Sequence, residues 1–402
     1  MSDRALQPEL LLGVVDIPAD HWIARLPNAG PLVGAALLVG AAFLDLQDRS
    51  SFYFAYFSAI VFFLSLALGA LGFVLLHFSA RSSWQVAIRR LAEATMGIMP
   101  SLLLLFFVAG FGYRYLYPWI YPSLWRTEPS IAGRFPYFKE QLVLLRGAVY
   151  FAAWWSATWF FRSQSAEQDL TGNPEVTRRL QRWAPLGLLL VALTTSGAAF
   201  DWLMPLDPRW HSPLFGFYFI AGCGLAGVSW IVLLALGLQR LGFARLAIGA
   251  GHRQRLGALL IAALALWWLV VGSQLAATRF TGLTDESGWL LTRWNGVWHP
   301  WSVLLLAGHA LALVSLLPVR IRRRSGAMAI IAGWLLALRV VDCALLVLPA
   351  RGTPEPRLLV AVCAWLGVAG LAMGLLSHLL VRESLVAERD PQLAESITFD
   401  RV

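Results

Sequence analysis

The sequence predicts an all-α integral membrane protein of about ten transmembrane helices, arranged as two four-helix bundles in parallel repeat with additional helices. Three observations predict it. The 402 residues are 58% hydrophobic and only 14% charged. The mean hydropathy is +0.65. Apolar runs near the ~20 residues needed to cross a bilayer as a helix recur from end to end. Only helices and closed barrels satisfy every backbone group in lipid, and these runs are too long for barrel strands.

Taken in order, the runs place spans near 29–45, 51–79, 91–116, 138–162, 184–206, 213–238, 256–280, 299–318, 325–349 and 357–382. The corresponding organisation is an N-terminal segment over 1–28, a first helix over 29–50, four-helix bundles over 51–211 and 212–350, a last helix over 351–382 and a tail over 383–402. The N-terminus lacks a basic-then-apolar leader with a small-residue cleavage site, so no removed signal peptide is expected.

The formal charge of +9 does not form a solvated basic domain. Its Lys and Arg fall between the apolar runs, which reads as topology and excludes nucleic acid as the expected partner. One set of alternate connections, including Arg81, Arg89, Arg90, Arg178, Arg179, Arg182, Arg240, Arg253, Arg255 and Arg320, holds about twenty basic residues with both termini, and the other set about ten. Positive charge is retained on the cytoplasmic side, so both termini are expected there.

An internal repeat emerges when Ser50, Tyr56 and Phe57 are laid on Ser212, Tyr218 and Phe219, at an offset of 162 residues. Asp201-Trp202 is followed by Pro208 and Asp342-Cys343 by Pro349, each seven residues on. Spans two to five thus repeat as six to nine. A four-helix unit is even, so the copies point the same way through the membrane, unlike inverted transporter repeats.

A buried charge in lipid needs a partner and marks a functional candidate. Arg339 and Asp342 stand i, i+3 on one helix face and fit either a structural ion pair or a functional one. Asp201, Arg146 and Gln274 fall at a depth similar to Asp342 towards the outer side, where together they suit a polar pocket or the exit of a proton path, or act as separate capping groups. His77, Arg90 and Glu93 lie near the inner ends, and Glu93 also reads as a first-turn carboxylate paired with Arg89 or Arg90. His309, mid-membrane, is a proton relay or a hydrogen-bonded core residue. The proton-path candidates are therefore Glu93, Asp201, His309 and Asp342, with Arg146, Gln274 and Arg339 as a quinone-pocket or structural cluster. Trp119, Trp125, Trp202, Trp210, Trp289, Trp294, Trp298 and Trp301 are expected in an interfacial aromatic belt. The aromatic loop from Tyr113 to Tyr121 reads as lying on the membrane surface or under a partner.

Cys223, Cys343 and Cys363 belong to no CxxC, CxxCH or zinc pattern, so no metal ligands are expected here. No hydrolytic triad, phosphate loop or carboxylate pair appears, and no catalytic residue is expected.

Three stretches resemble the ActF-type membrane subunit of alternative complex III, a quinol:electron acceptor oxidoreductase. The first joins Trp84 to Glu93 and Leu116-Tyr117-Pro118-Trp119. The second runs Phe200-Asp201-Trp202-Leu203-Met204-Pro205-Leu206-Asp207-Pro208-Arg209-Trp210-His211-Ser212, followed by Phe215-Gly216, and follows the family's long Asp-Trp-x-Met-Ser-Leu-Asp/Glu-Pro-x-Trp-x-Ser pattern. The third runs from Gln274 through Asp285 and Glu286 to Arg293 and Trp298. It departs from the family where Gly282-Leu283-Thr284 replaces Asn-Leu-Pro before the two acids, and where Arg279 replaces an aromatic.

The resemblance spans most of the chain. It implies an NrfD-like fold and a subunit binding no cofactor of its own in a bacterial cytoplasmic (inner) membrane. Its implied partners are an NrfD-like quinol-binding subunit, haem-c and iron–sulfur subunits and a terminal oxidase, with quinol, haem c and iron–sulfur clusters held by them. Scaffolding and proton conduction are the implied roles. A quinone bound by this chain is the alternative, and a secondary transporter is a further one, weakened by the parallel repeat.

Overall fold

The computed structural model describes residues 14–121, 123–124, 133, 136–244, 248–281, 284–352 and 357–399, and the side chains of these except 277–287. Among the described residues the fold is all-α with no strand. The spanning helices are α1 (Leu26–Leu44), α2 (Ser50–Ser79), α3 (Val86–Gly110), α4 (Glu140–Thr171), α5 (Pro174–Ala198), α6 (Phe215–Leu241), α7 (Ala250–Thr281), α9 (His299–Leu316), α10 (Ser325–Val347) and α11 (Leu358–Arg382), with short α8 (Thr284–Trp294) and α12 (Leu393–Thr398).

Nine helices of the described residues are both long and apolar enough to cross a membrane, and α4 falls outside that set because Glu140, Arg146, Arg162, Glu167 and Asp169 lower its hydropathy. It nevertheless packs along α5 as part of the bundle. Leu385 N–H donates to the Val15 carbonyl at 3.0 Å, so both described chain ends lie at one end of the bundle. An even number of crossings is then required, and α4 is the tenth. At ~1.5 Å per residue its 32 residues are ample. It turns back into α5 through Gly172, at φ +63°, and Asn173, whose side chain caps Glu175 N–H at 3.0 Å.

Several bounds differ from expectation. The first helix begins at Leu26, with Pro27 in its first turn, where the sequence suggested 29. Arg89 and Arg90, assigned to a loop, lie inside the first segment of α3 and are buried. Helix α3 breaks between Met96 and Met99 because Pro100 cannot donate to the carbonyl four residues back.

Helix α2 carries no Asp, Glu, Lys or Arg and is largely apolar on all sides, and the fold accordingly buries it at the centre. It crosses α6 at Gly69 and Gly227, where a Cβ on Gly69 would lie 1.9 Å from the Cys223 carbonyl oxygen. Around α2 pack α3 and α5, with α4 against α5; around α6 pack α7 and α10, with α9 against α10. Helices α1 and α11 form an antiparallel pair outside these, joined through Gly30 and Gly34 against Gly367, Gly370 and Gly374. The outer faces expose Leu32, Phe43, Leu145, Trp159, Leu193 and Leu311, as a lipid-facing surface does.

Candidate functional site: two buried carboxylates at one end of the bundle

Asp201 owes its position to a local defect. Pro205 cannot donate to the Asp201 carbonyl, so α5 does not end as regular α-helix but widens into a π turn over Ala199–Leu203. The wide turn holds Asp201, fully buried, where Tyr137 Oη (2.6 Å), Tyr150 Oη (2.7 Å) and Arg146 Nε (2.6 Å) all donate to its carboxylate. Arg146 also donates to the Tyr137 carbonyl at 3.0 Å, with its guanidinium 4.0 Å from the centre of that ring. Burial, reinforced by the bond to Asp201, pushes the Tyr137 phenol up to about 12, so it stays a protonated donor at physiological pH.

Asp342 is the counterpart in the second half. Arg339 Nη1 donates to it at 2.5 Å across one helical turn, and Tyr218 Oη of α6 donates to its other oxygen. Arg339 Nε reaches Ser65 Oγ of the central helix at 3.3 Å. Gly222 makes the room: a Cβ there would lie 2.1 Å from Arg339 Nη1. The echo between Tyr56 and Tyr218 ends at their hydroxyls, since Tyr56 donates to the Leu105 carbonyl at 2.9 Å and not to an acid.

A cavity of about 100 Å³ opens beside Asp342, lined also by Tyr218, Trp267, Gln274, Arg293 and Ser302. It is below the roughly 300–1,000 Å³ usual for small-molecule pockets and has room for a few waters. Gln274 accepts from Ser212 Oγ at its edge. Arg293 is buried, its guanidinium 3.7 Å from the Trp289 ring, and donates to the carbonyls of Leu345 (2.9 Å), Leu346 (3.2 Å) and Trp289 (2.9 Å). Pro349 leaves the Leu345 carbonyl without its helical donor, so Arg293 completes the C-terminus of α10, where the helix dipole favours a cation. Burial pulls the Arg293 guanidinium below the ordinary arginine range. The side chains of Asp285 and Glu286 lie outside the described residues.

His309 is buried, its Nδ1 2.7 Å from the Leu305 carbonyl and its ring stacked 4.0 Å from that of Trp267, which lines the cavity. Glu93 sits elsewhere, towards the end that carries the chain termini. It accepts from Arg90 Nη1 at 2.9 Å and pairs with Arg89 Nε at 3.0 Å. Arg89 continues to Asp390 at 2.6 Å and Arg90 to Asp169, so α3, α4 and the C-terminal tail share one ionic network. His77 packs against Phe73 near this end, the ring centres 4.1 Å apart and the planes tilted by 42°.

The sequence-level polar cluster is thus divided. Arg146 and Asp201 form one group; Gln274, Arg293 and Asp342 line the cavity, with Arg339 paired to Asp342. Tyr137, Tyr150, Tyr218, Ser65, Asp169 and Asp390 were not singled out, because they meet their partners across 51 to 301 residues of sequence. The belt assignment also needs correction. Trp119, Trp202 and Trp210 are buried, Trp202 against Phe106 and Phe151 and Trp210 stacked 4.2 Å from Trp289, because ring-on-ring packing closes this end of the bundle. Trp125 lies outside the described residues. The aromatic loop turns inward in part, with Tyr117 buried and donating to the Trp202 carbonyl at 2.9 Å. Among the described residues no group of three or more His, Cys, Asp or Glu side chains gathers as a metal site.

Comparison with known proteins adds no name to this geometry: no family model matches the chain, and no curated protein matches it at a significant level.

Proposed function

We propose that the chain is a multi-pass subunit of a quinol-oxidising respiratory complex of the alternative complex III type, serving as scaffold and proton conductor in a bacterial cytoplasmic membrane. In this reading both termini face the cytoplasm. An NrfD-like subunit binds quinol beside it, haem-c and iron–sulfur subunits carry the electrons outside, and a terminal oxidase is a further partner. The three sequence stretches support the family, and the helical multi-span architecture is consistent with it.

The observation that carries proton conduction is Asp342. Its carboxylate is buried, accepts a phenolic O–H and a guanidinium N–H, and borders a cavity of about 100 Å³. A carboxylate so placed exchanges protons with confined water, while Tyr218 and Arg339 hold its geometry in both states. Gln274 and Ser302 offer hydrogen-bonding groups across the cavity, and Trp267 joins it to His309. A quinone seated among Arg146, Asp201, Gln274 and Asp342 would need these four around one pocket, and of them Gln274 and Asp342 border the cavity.

The test is Asp342→Asn in the assembled complex. Proton release per electron falls while the electron-transfer rate with quinol is retained. Unchanged proton stoichiometry sinks the conduction role, and a tagged chain that purifies without haem-c and iron–sulfur partners sinks the complex.

A further inference from the structure

A cleft of about 270 Å³ lies between α4 and the break in α3, towards the end of the bundle that carries the chain termini, and neither carboxylate site uses it. Trp155, Thr158, Trp159 and Arg162 line it from one stripe of α4, at i, i+3, i+4 and i+7; Pro100 lies opposite and Glu383, just past α11, closes one end. Its mouth faces the lipid side, where Trp159 is 65% exposed and Trp155 45%.

The polar groups within it are unusual for a lipid-facing surface. Thr158 is 4% exposed, and its hydroxyl has no hydrogen-bond partner although it lies on the cleft. A helical threonine can bond a carbonyl one turn back, and this one does not. The Arg162 Nε is likewise buried and unpartnered, while Nη2 donates to Glu383 at 2.5 Å. Gly97 permits this placement, since a Cβ there would lie 2.8 Å from Arg162 Nη1. Thr158 and Arg162, each with a buried and unpartnered donor, therefore line one cleft with a glutamate and two tryptophans.

We infer that this cleft binds the headgroup of a zwitterionic phospholipid carrying a primary ammonium, of the phosphatidylethanolamine class. On binding, Arg162 and Thr158 turn within the cleft so that the phosphodiester accepts from the guanidinium and the hydroxyl, satisfying the two buried donors. The ammonium donates to Glu383 and rests against the indole faces, and the acyl chains leave past Trp155 and Trp159. Glu383 sets the preference. An anionic headgroup brings no cation to meet it, and a quaternary choline cannot donate a hydrogen bond to it.

Native mass spectrometry of the purified full-length chain, exchanged into micelles doped with phosphatidylethanolamine, phosphatidylglycerol or phosphatidylcholine, tests the site. The wild type retains one phosphatidylethanolamine, preferred about tenfold over the other two. Thr158→Val lowers retention about tenfold without removing any bond within the protein, and Arg162→Gln, which also breaks the pair with Glu383, lowers it at least as much. Glu383→Gln abolishes the preference for ethanolamine over choline. Retention of no lipid, a preference for phosphatidylglycerol, equal retention by Thr158→Val and wild type, or displacement by excess inorganic phosphate each overturns the proposal, the last by showing a site for free phosphate.

Discussion

Arg339 illustrates how tightly one side chain can be specified. Its guanidinium is held by Asp342 and Ser65, lies 5.2 Å from the centre of the Phe219 ring, and occupies the space left by the missing side chain of Gly222. Substituting Gly222→Ala pushes the guanidinium from its carboxylate and leaves a buried charge uncompensated. Breaking such a pair costs about 3–5 kcal/mol. Chemical unfolding in detergent should show a loss of that order, whereas Gly237→Ala, with open space beside its Cα, should be near neutral. The pairing of Arg339 with Asp342 is legible in their spacing, because i, i+3 residues share a helix face. Tyr218 is not, since its partner stands 124 residues away.

At the scale of elements, close crossings through glycine organise the bundle. Gly69 and Gly227 let α2 and α6 touch backbone to backbone, and lipid offers no hydrophobic drive to replace that contact. Gly69→Ala forces the helices apart, and overpacking of this kind costs about 1–3 kcal/mol or more. The α1–α11 crossing is also close, but α1 packs mainly on α11 at the periphery. Gly34→Leu should therefore detach α1 while the central helices stay folded. Labelling of a cysteine introduced at Ala41, fully buried on α1 in the wild type, would rise in the variant with the main melting transition unchanged; protection equal to wild type would refute it. The apolar runs announced these helices. The π turn at Asp201 also had a local cause in Pro205, a signal available in the sequence though unused.

Across the whole molecule the two chain ends meet. Val14 bridges to Phe243, Leu385 bonds to Val15, Asp390 pairs with Arg89 and Ser396 Oγ donates to the Trp84 carbonyl, so the tail over 383–399 is part of the bundle. Topology reporters fused at either terminus should give the same side, and on the proposed function that side is the cytoplasm, where arginine is retained. Opposite signals from the two fusions would remove α4 from the membrane.

The sequence by itself determined the class of fold, nearly every spanning helix and the Arg339–Asp342 pair, because hydropathy and helical spacing are local quantities that lipid enforces without reference to the rest of the chain. Only the tertiary structure decided that the polar residues of similar depth form two sites and not one, that three tryptophans are buried, and that Glu93 belongs to an ionic network completed by Asp390. Depth along a helix is written in the sequence. The direction a residue faces around its helix, and which neighbour stands there, is set by packing among helices that lie up to hundreds of residues apart.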